Sequence, residues 1–305
     1  MEKFNTGTKA NWQKHEESPV LGGDLGTCFD ICVLFQDDIY KMYFSWRPKK
    51  SIALTESKDG LNWSKPQIVL SPRATAEGWE DDLNRPYILF LNGMYHMWYT
   101  GQFKAGVADG TSHIFYATSH DGINFKRIQD TPVLYPTEDW EKRALMCPTV
   151  MWDADENLYR MWYSGGEQYE PNAIGHAISP DGINWTKYAN NPIFKSSSAS
   201  IWEQHKVAAC NVIKADDKYV MFYVGFQNED YAQIGIASSD DGIHNWQRHP
   251  QNPVIASTPD SWDGEACYKP FVLYDGEKWI LWYNGRTGSF EQIGVAFHHG
   301  FDLFK

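Results

Sequence analysis

Ser57-Lys58-Asp59-Gly60-Leu61-Asn62-Trp63 returns as Ser119-His120-Asp121-Gly122-Ile123-Asn124-Phe125 and again as Ser179-Pro180-Asp181-Gly182-Ile183-Asn184-Trp185. A fourth copy, Ser239-Asp240-Asp241-Gly242-Ile243-His244-Asn245-Trp246, carries one extra residue. Copies stand about 60 residues apart, a spacing that belongs to repeats of one supersecondary unit. Asp-Gly between two strand-like runs is hairpin chemistry: Asp caps the turn, Gly takes positive φ, and the following aromatic packs back on the sheet. Turn formation alone accounts for these carboxylates, so they read as neither calcium ligands nor catalytic groups.

Upstream of each turn lie two more strands. One is rich in aromatics (residues 40–44, 95–99, 159–163, 219–223 and 279–283), and a lighter one follows it (for instance 234–237 and 293–296). Before these comes an apolar strand, with Pro near its start in Pro86-Tyr87-Ile88-Leu89, Pro148-Thr149-Val150 and Pro270-Phe271-Val272-Leu273. Four antiparallel strands per unit, repeated five times, predict an all-β, five-bladed β-propeller that takes in residues 1–305 as a single domain. Trp12-Gln13-Lys14 through Pro19-Val20-Leu21 matches the fourth strand and exit of a unit, Trp185-Thr186-Lys187 through Pro192-Ile193-Phe194. The N-terminal segment is therefore expected to pair with the last unit, whose own copy at 301–305 stops short.

Of the 305 residues, 42% are hydrophobic and 15% aromatic, enough for a sizeable core and a bias toward strands. A net charge of −12 disfavours nucleic acid or an anionic membrane as partner, since both demand a basic face. The chain lacks an apolar run of membrane-spanning length, and its first residues lack the apolar stretch of a signal peptide. Five cysteines (Cys28, Cys32, Cys147, Cys210, Cys267) at no metal-binding spacing read as small buried hydrophobes. The expectation is a cytoplasmic protein, or a periplasmic or secreted one if a signal peptide has been removed. No cofactor and no metal are expected, and the sequence carries no signal for oligomeric state.

In a propeller the innermost strands line the axis, and the loops joining second to third strands open on the same face. Those loops hold Trp46, Arg47, Gln102, Phe103, Lys104, Glu167, Tyr169, Phe226, Gln227 and Arg286. Aligning the inner strands on Ile31, Pro86, Pro148, Cys210 and Pro270, positions one and five before the anchor should point the same way. They hold Asp30, then Asp81 and Arg85, Arg143 and Cys147, His205 and Ala209, Glu265 and Lys269. Three carboxylates, a histidine and three cations on otherwise apolar strands read as a site for a small ligand, against the alternative of an ion-pair plug.

With these motifs in hand, the whole chain resembles the five-bladed glycoside hydrolases of the arabinanase, β-xylosidase, invertase and mannoside phosphorylase superfamily. The resemblance rests on the repeat, on aromatic strands such as Tyr95-His96-Met97-Trp98-Tyr99, and on the Asn190-Asn191-Pro192 and Gln251-Asn252-Pro253 exits. It implies a carbohydrate substrate, with Asp30 of Phe29-Asp30-Ile31-Cys32-Val33 as general base, although Ile31 stands where the arabinanase-like families usually have Pro. The Arg-Asp-Pro and Glu-Cys-Pro motifs of the invertase-like families are half echoed by Arg85-Pro86 and Met146-Cys147-Pro148, with Met146 in place of the Glu.

Glycoside hydrolysis needs one carboxylate to activate water or attack and one acid to assist the leaving oxygen. Asp30 is the expected base and Glu265 the expected acid, with Glu203 and His205 open as alternatives. Asp81 or Asp82 would raise the acid's pKa and bind sugar hydroxyls, while Arg85, Arg143 and Lys269 would orient the substrate. Trp46, with Phe103, Tyr169 and Phe226, would stack on a sugar ring, and Arg47 and Arg286 border the same face. By analogy with the arabinanase-like families the expected reaction is inverting hydrolysis of a furanoside or pyranoside. A phosphorylase, a non-catalytic glycan-binding propeller and a protein-interaction scaffold are the competing readings.

Overall fold

The computed structural model describes residues 7–74, 78–105, 109–167 and 171–304. Among them the regular elements are strands and four short 3-10 turns, so the fold is all-β. The chain forms two compact units, residues 1–29 with 195–305 and residues 30–194.

The N-terminal segment contributes a short strand, β1 (Trp12–Lys14). The 30–194 unit carries a four-stranded sheet of β2 (Cys28–Gln36), β3 (Ile39–Trp46), β4 (Ser51–Ser57) and β5 (Gln67–Leu70), with β2 entering from its first two residues. It also carries a nine-stranded sheet. β6 (Asp82–Leu91), β7 (Met94–Phe103), β8 (Thr111–Ser119) and β9 (Lys126–Arg127) make one antiparallel array of that sheet. β10 (Ala144–Asp153), β11 (Leu158–Gly166), β12 (Pro171–Ser179), β13 (Thr186–Lys187) and β14 (Phe194–Lys195) make the other. A single parallel contact, Ser112 with Ala144, joins the two arrays.

The remaining unit repeats this plan in an eight-stranded sheet. β15 (Lys206–Ala215), β16 (Lys218–Phe226), β17 (Ala232–Ser239) and β18 (Gln247–Arg248) form one array, joined through Ala232 and Ala266 to β19 (Ala266–Tyr274), β20 (Lys278–Thr287) and β21 (Phe290–His299). As expected, the N-terminal segment completes the last array: β1 pairs antiparallel with β21, Trp12 opposite His298 and Lys14 opposite Ala296.

The second strand of each array is buried on both faces, which explains its continuous apolar and aromatic run. Met42, Met97, Met161, Met221 and Leu281 are all fully buried. Trp98, Tyr116, Leu145, Met161 and Tyr163 share one core of the 30–194 unit, and Trp12, Phe222, Ile234, Leu281 and Tyr283 share the core of the other. All five cysteines are buried and unbridged.

The recurring Asp-Gly segments are turns, as read. Asp121 Oδ1 accepts the N–H groups of Ile123 and Asn124, and its Oδ2 accepts the Asn124 side-chain amide. These bonds, the Asn124 N–H first, hold the Asp121 carboxyl below the usual carboxylate range. Ser119 Oγ accepts the Gly122 N–H at 3.0 Å. In the fourth copy the extra residue, Asn245, takes a left-handed conformation at φ 52, and His244 Nδ1 replaces the Asn amide on Asp241.

A second repeated device ties each array together from inside. Glu80, Glu141, Glu203 and Asp263 each follow a tryptophan and are at most 1% exposed. Each accepts the hydroxyl of the last tyrosine in its second strand: Tyr99 at 2.7 Å, Tyr163 at 2.9 Å, Tyr223 at 2.9 Å and Tyr283 at 3.0 Å. Each also pairs with a cation from the fourth strand: Arg127 at 2.7 Å, Lys187 at 2.5 Å, Arg248 at 2.6 Å and Lys14 at 2.6 Å. Trp140, Trp202 and Trp262 lie over glycines that admit no side chain; a Cβ on Gly285 would stand 2.1 Å from Trp262. The first array lacks the whole set, since no tryptophan and acid pair precedes β2 and Phe44 stands where the others have tyrosine.

Removing one partner of such a buried pair leaves an uncompensated charge, which costs about 3–5 kcal/mol, whereas losing one neutral donor costs about 1–2 kcal/mol. Urea unfolding should therefore show a large loss of stability in Glu141→Ala and a smaller one in Tyr163→Phe. Equal losses would mean that Lys187 contributes nothing to the device.

Candidate active site

The head of each first strand carries a backbone irregularity that sequence alternation does not anticipate. Asp30, Arg85, Cys147, Ala209 and Lys269, the residues just before the five anchors, all adopt left-handed φ, at 54, 56, 55, 40 and 49°. None is glycine, so each conformation costs on the order of 1 kcal/mol and persists because its surroundings hold it. In β6, β10, β15 and β19 the pairing with the second strand slips at this residue, for example between Asn84 and Tyr87. Such a slip is a β-bulge, which bends the strand and re-aims its side chains.

This corrects the expectation of strict alternation. Asp81, Arg143, His205 and Glu265 each stand one residue ahead of their strands. Three of them are nevertheless held beside the end of the second strand: Arg143 donates its N–H to Gly166 O, His205 to Phe226 O and Glu265 to Arg286 O, at 3.0–3.1 Å.

In the 30–194 unit the structure gathers Asp30, Arg85, Asp82 and Arg47. Asp30 is 3% exposed, and Arg85 Nε lies 3.5 Å from its Oδ2. Asp82 is 6% exposed. Burial raises its carboxyl above the ordinary range, against the pull of Arg47, Lys50, Arg85 and the Asn84 amide. The Leu83 N–H donates to Lys50 O at 3.1 Å and ties the turn after β3 to the head of β6. Beneath Asp82, Asn84 Nδ2 donates to Gln102 Oε1, whose own amide donates to Ser112 Oγ. Of the two adjacent aspartates, Asp82 joins this cluster while Asp81 is exposed. Trp46 is half-buried with Lys49 over its ring at 5.8 Å, and exposed Arg143 donates to Asp109 O.

In the other unit Arg286 Nη1 lies 3.5 Å from Glu265 Oε2, both partly exposed, and Arg286 Nη2 donates to Asp230 O at 2.6 Å. Lys269 is 2% exposed at its bulge, Phe226 is half-buried and His205 is exposed. The neighbouring Tyr268 hydroxyl donates to Glu291, a polar pair that the repeat register did not single out. Glu203 is a correction. It is fully buried, its oxygens accept from Tyr223 and Arg248, and it belongs to the internal ties described above. The signal was present, because acids follow tryptophan at the same place in four repeats. Lys50 and Asn84 were missed, having no counterpart of the same type in other repeats. Tyr169 lies outside the described residues.

The family model for glycosyl hydrolases family 43 matches residues 17–294. A 1,2-beta-oligomannan phosphorylase of Thermoanaerobacter sp. (strain X514) is 29% identical over 224 residues, covering 71% of this chain and 68% of that protein. Among solved structures, a thermostable family-43 glycoside hydrolase matches with a TM-score of 0.71 at 19% identity, covering 91% of each chain. A beta-1,2-mannobiose phosphorylase from Listeria innocua matches with a TM-score of 0.70 at 13% identity, covering 95% of this chain and 97% of that one.

Burial of Asp82 has a consequence for stability. A carboxyl raised in the folded state favours folding while protonated and opposes it once ionised, so its cost appears as pH rises through the folded value. Asp82→Asn should be more stable than the wild type at pH 7, and this advantage should vanish as pH falls below the ordinary carboxylate range. Thermal melts across pH 3–8 test it; a variant less stable at every pH would show that attraction to Arg47, Lys50 and Arg85 outweighs burial.

Proposed function

The chain belongs to glycosyl hydrolases family 43 and is a glycosidase, and from that premise we propose that it cleaves a furanoside or pyranoside with inversion, Asp30 acting as base and Glu265 as acid. The observation that carries the reading is the cluster at the heads of β2 and β6. Asp30 lies buried against Arg85, which favours its ionised form, as a base that activates water requires. Asp82, raised by burial and adjacent to the same cation, has the character of a carboxyl that holds a sugar hydroxyl and tunes the acid. Of Asp81 and Asp82, it is the buried one. Glu265 qualifies as acid through its position ahead of β19 and its partial exposure beside Arg286. Arg47, Arg143, His205, Lys269 and Arg286 supply donors for substrate hydroxyls or an anionic group, and Trp46 supplies a stacking face.

We propose further that the repeated arrays are the five blades of one catalytic propeller with four strands each. The single parallel contacts that join two pairs of arrays and the left-handed residue recurring at the same place in all five first strands support it. Five buried, unbridged cysteines suit a reducing compartment, the cytoplasm.

Phosphorolysis is the second reading. Arg47, Lys50 and Arg85 stand around the Asp82 carboxyl, and a 29% identical relative is an oligomannan phosphorylase. In that case phosphate replaces water as the attacking group and the cations hold it.

A panel of nitrophenyl furanosides and pyranosides, with and without inorganic phosphate, separates these readings. Asp30→Asn should lower turnover by about 10²–10⁴-fold. Glu265→Ala should lose activity on 4-nitrophenyl substrates while keeping it on 2,4-dinitrophenyl ones, whose leaving group departs without an acid. Turnover only with phosphate selects the phosphorylase. Undiminished turnover in Asp30→Asn would remove it as base.

A further inference from the structure

The bulge in β6 takes the Arg85 N–H out of register with β7, and what catches it is Ser45. Ser45 is fully buried on β3, and its Oγ accepts the Arg85 N–H at 2.9 Å. The side chain of that same left-handed residue places Nε 3.5 Å from Asp30 Oδ2. A left-handed arginine strained by on the order of 1 kcal/mol holds its conformation only through such a tertiary contact.

The next array shows the same latch without the charge. Cys147 sits at φ 55 where β10 slips against β11, and its N–H donates to Thr100 Oγ1 at 3.3 Å. Ser45 and Thr100 hold equivalent places, each directly after the buried aromatic pair of its second strand, Tyr43-Phe44 and Trp98-Tyr99. A hydroxyl on the second strand therefore locks the bulge of the following first strand, and in the earlier case the locked residue carries a guanidinium.

We propose that Ser45 is a positioning residue of the carboxylate site: by holding the Arg85 N–H it fixes the bulge that keeps the guanidinium against Asp30, and so sets the pH at which Asp30 becomes a competent base. This rests on the reading of Asp30 as base and adds the device that controls it. The charge that faces Asp30 in this unit is Arg85 of β6, and the same guanidinium acts, with Arg47 and Lys50 from the turn after β3, on Asp82 at the head of that strand. Freed of Ser45, Arg85 relaxes toward ordinary β geometry and its head group withdraws from Asp30. The Asp30 carboxylate then loses its nearest cation and takes up a proton at higher pH.

The test reads Asp30 directly. In protein labelled with 13C at the aspartate carboxyls, the Asp30 resonance is assigned by its loss in Asp30→Asn and titrated in each variant. Ser45→Ala should move the Asp30 midpoint up by about one pH unit. Ser45→Thr, which keeps the hydroxyl as Thr100 does, should restore it. Ser45→Cys, which keeps volume and weakens the acceptor, should move it in the same direction as Ala and serves if Ser45→Ala fails to fold. Thr100→Ala should lose thermal stability while leaving the Asp30 midpoint in place. On the nitrophenyl glycoside best cleaved by the wild type, the acid limb of kcat/KM should follow the same order, with about a tenfold loss in Ser45→Ala on that limb. An unmoved midpoint in a folded Ser45→Ala or Ser45→Cys protein overturns the proposal, and so does an equal rise in Thr100→Ala, which would be general loosening. Should the wild type cleave no glycoside, the proposed reaction falls while the carboxyl titration still decides the role of Ser45.

Discussion

A carboxyl shut away from water is costly unless cations and donors surround it, and a polar pair once buried cannot lose a member cheaply. Glu80, Glu141, Glu203 and Asp263 meet that condition in four arrays by the same means, a tyrosine from the second strand and a cation from the fourth. Because the acid precedes the first strand, each set ties three separate stretches of one array to a point beside the head of the first strand. That fixed point lets the head depart from regular β geometry. It also places a tryptophan under the second and third strands, where Gly225, Gly235, Gly285 and Gly294 make room for the indoles.

The left-handed residue at each strand head recurs even in the first array, which lacks this anchoring. Five left-handed residues at one repeat position are too costly to be incidental, and the two latches described, Ser45 on Arg85 and Thr100 on Cys147, show how the strain is held by the strand before. The backbone device is common to all arrays, but the side chain displayed on it differs each time: Asp, Arg, Cys, Ala and Lys. The scaffold presents five equivalent positions along the chain, and chemistry enters by what occupies them.

This division explains what could be read from the sequence. The turns were legible because Ser, Asp, Gly and Asn satisfy one another within a few residues, so Asp121 needs no distant partner. The pairing of β1 with β21 was legible because Trp12-Gln13-Lys14 copies a fourth strand. Glu203 reads as an alternative acid only when it is taken apart from the other repeats. Beside Glu80, Glu141 and Asp263, each after a tryptophan and each matched by a second-strand tyrosine, its structural role is visible in the sequence, and the joint absence of acid and tyrosine from the first array strengthens the rule. The bulges were not legible, since no glycine marks them and the contacts that hold them come from another strand. Nor does the sequence choose between Asp81 and Asp82: the strand starts at Asp82, and one residue of register decides which carboxyl is buried.

Residues that recur at one repeat position hold the fold, and those that occur once perform the chemistry. Asp30, Arg85 and Lys269 join both halves of that rule, a recurring conformation with a unique charged side chain. Asp82 has no such conformation and gains its character from burial alone. The cluster joins a buried carboxylate beside a cation to a neighbour whose proton burial makes harder to lose. Such a cluster costs stability, because Asp82 is buried against its preference and Arg85 is strained, and the ties behind the strand heads are what allow the fold to bear that cost.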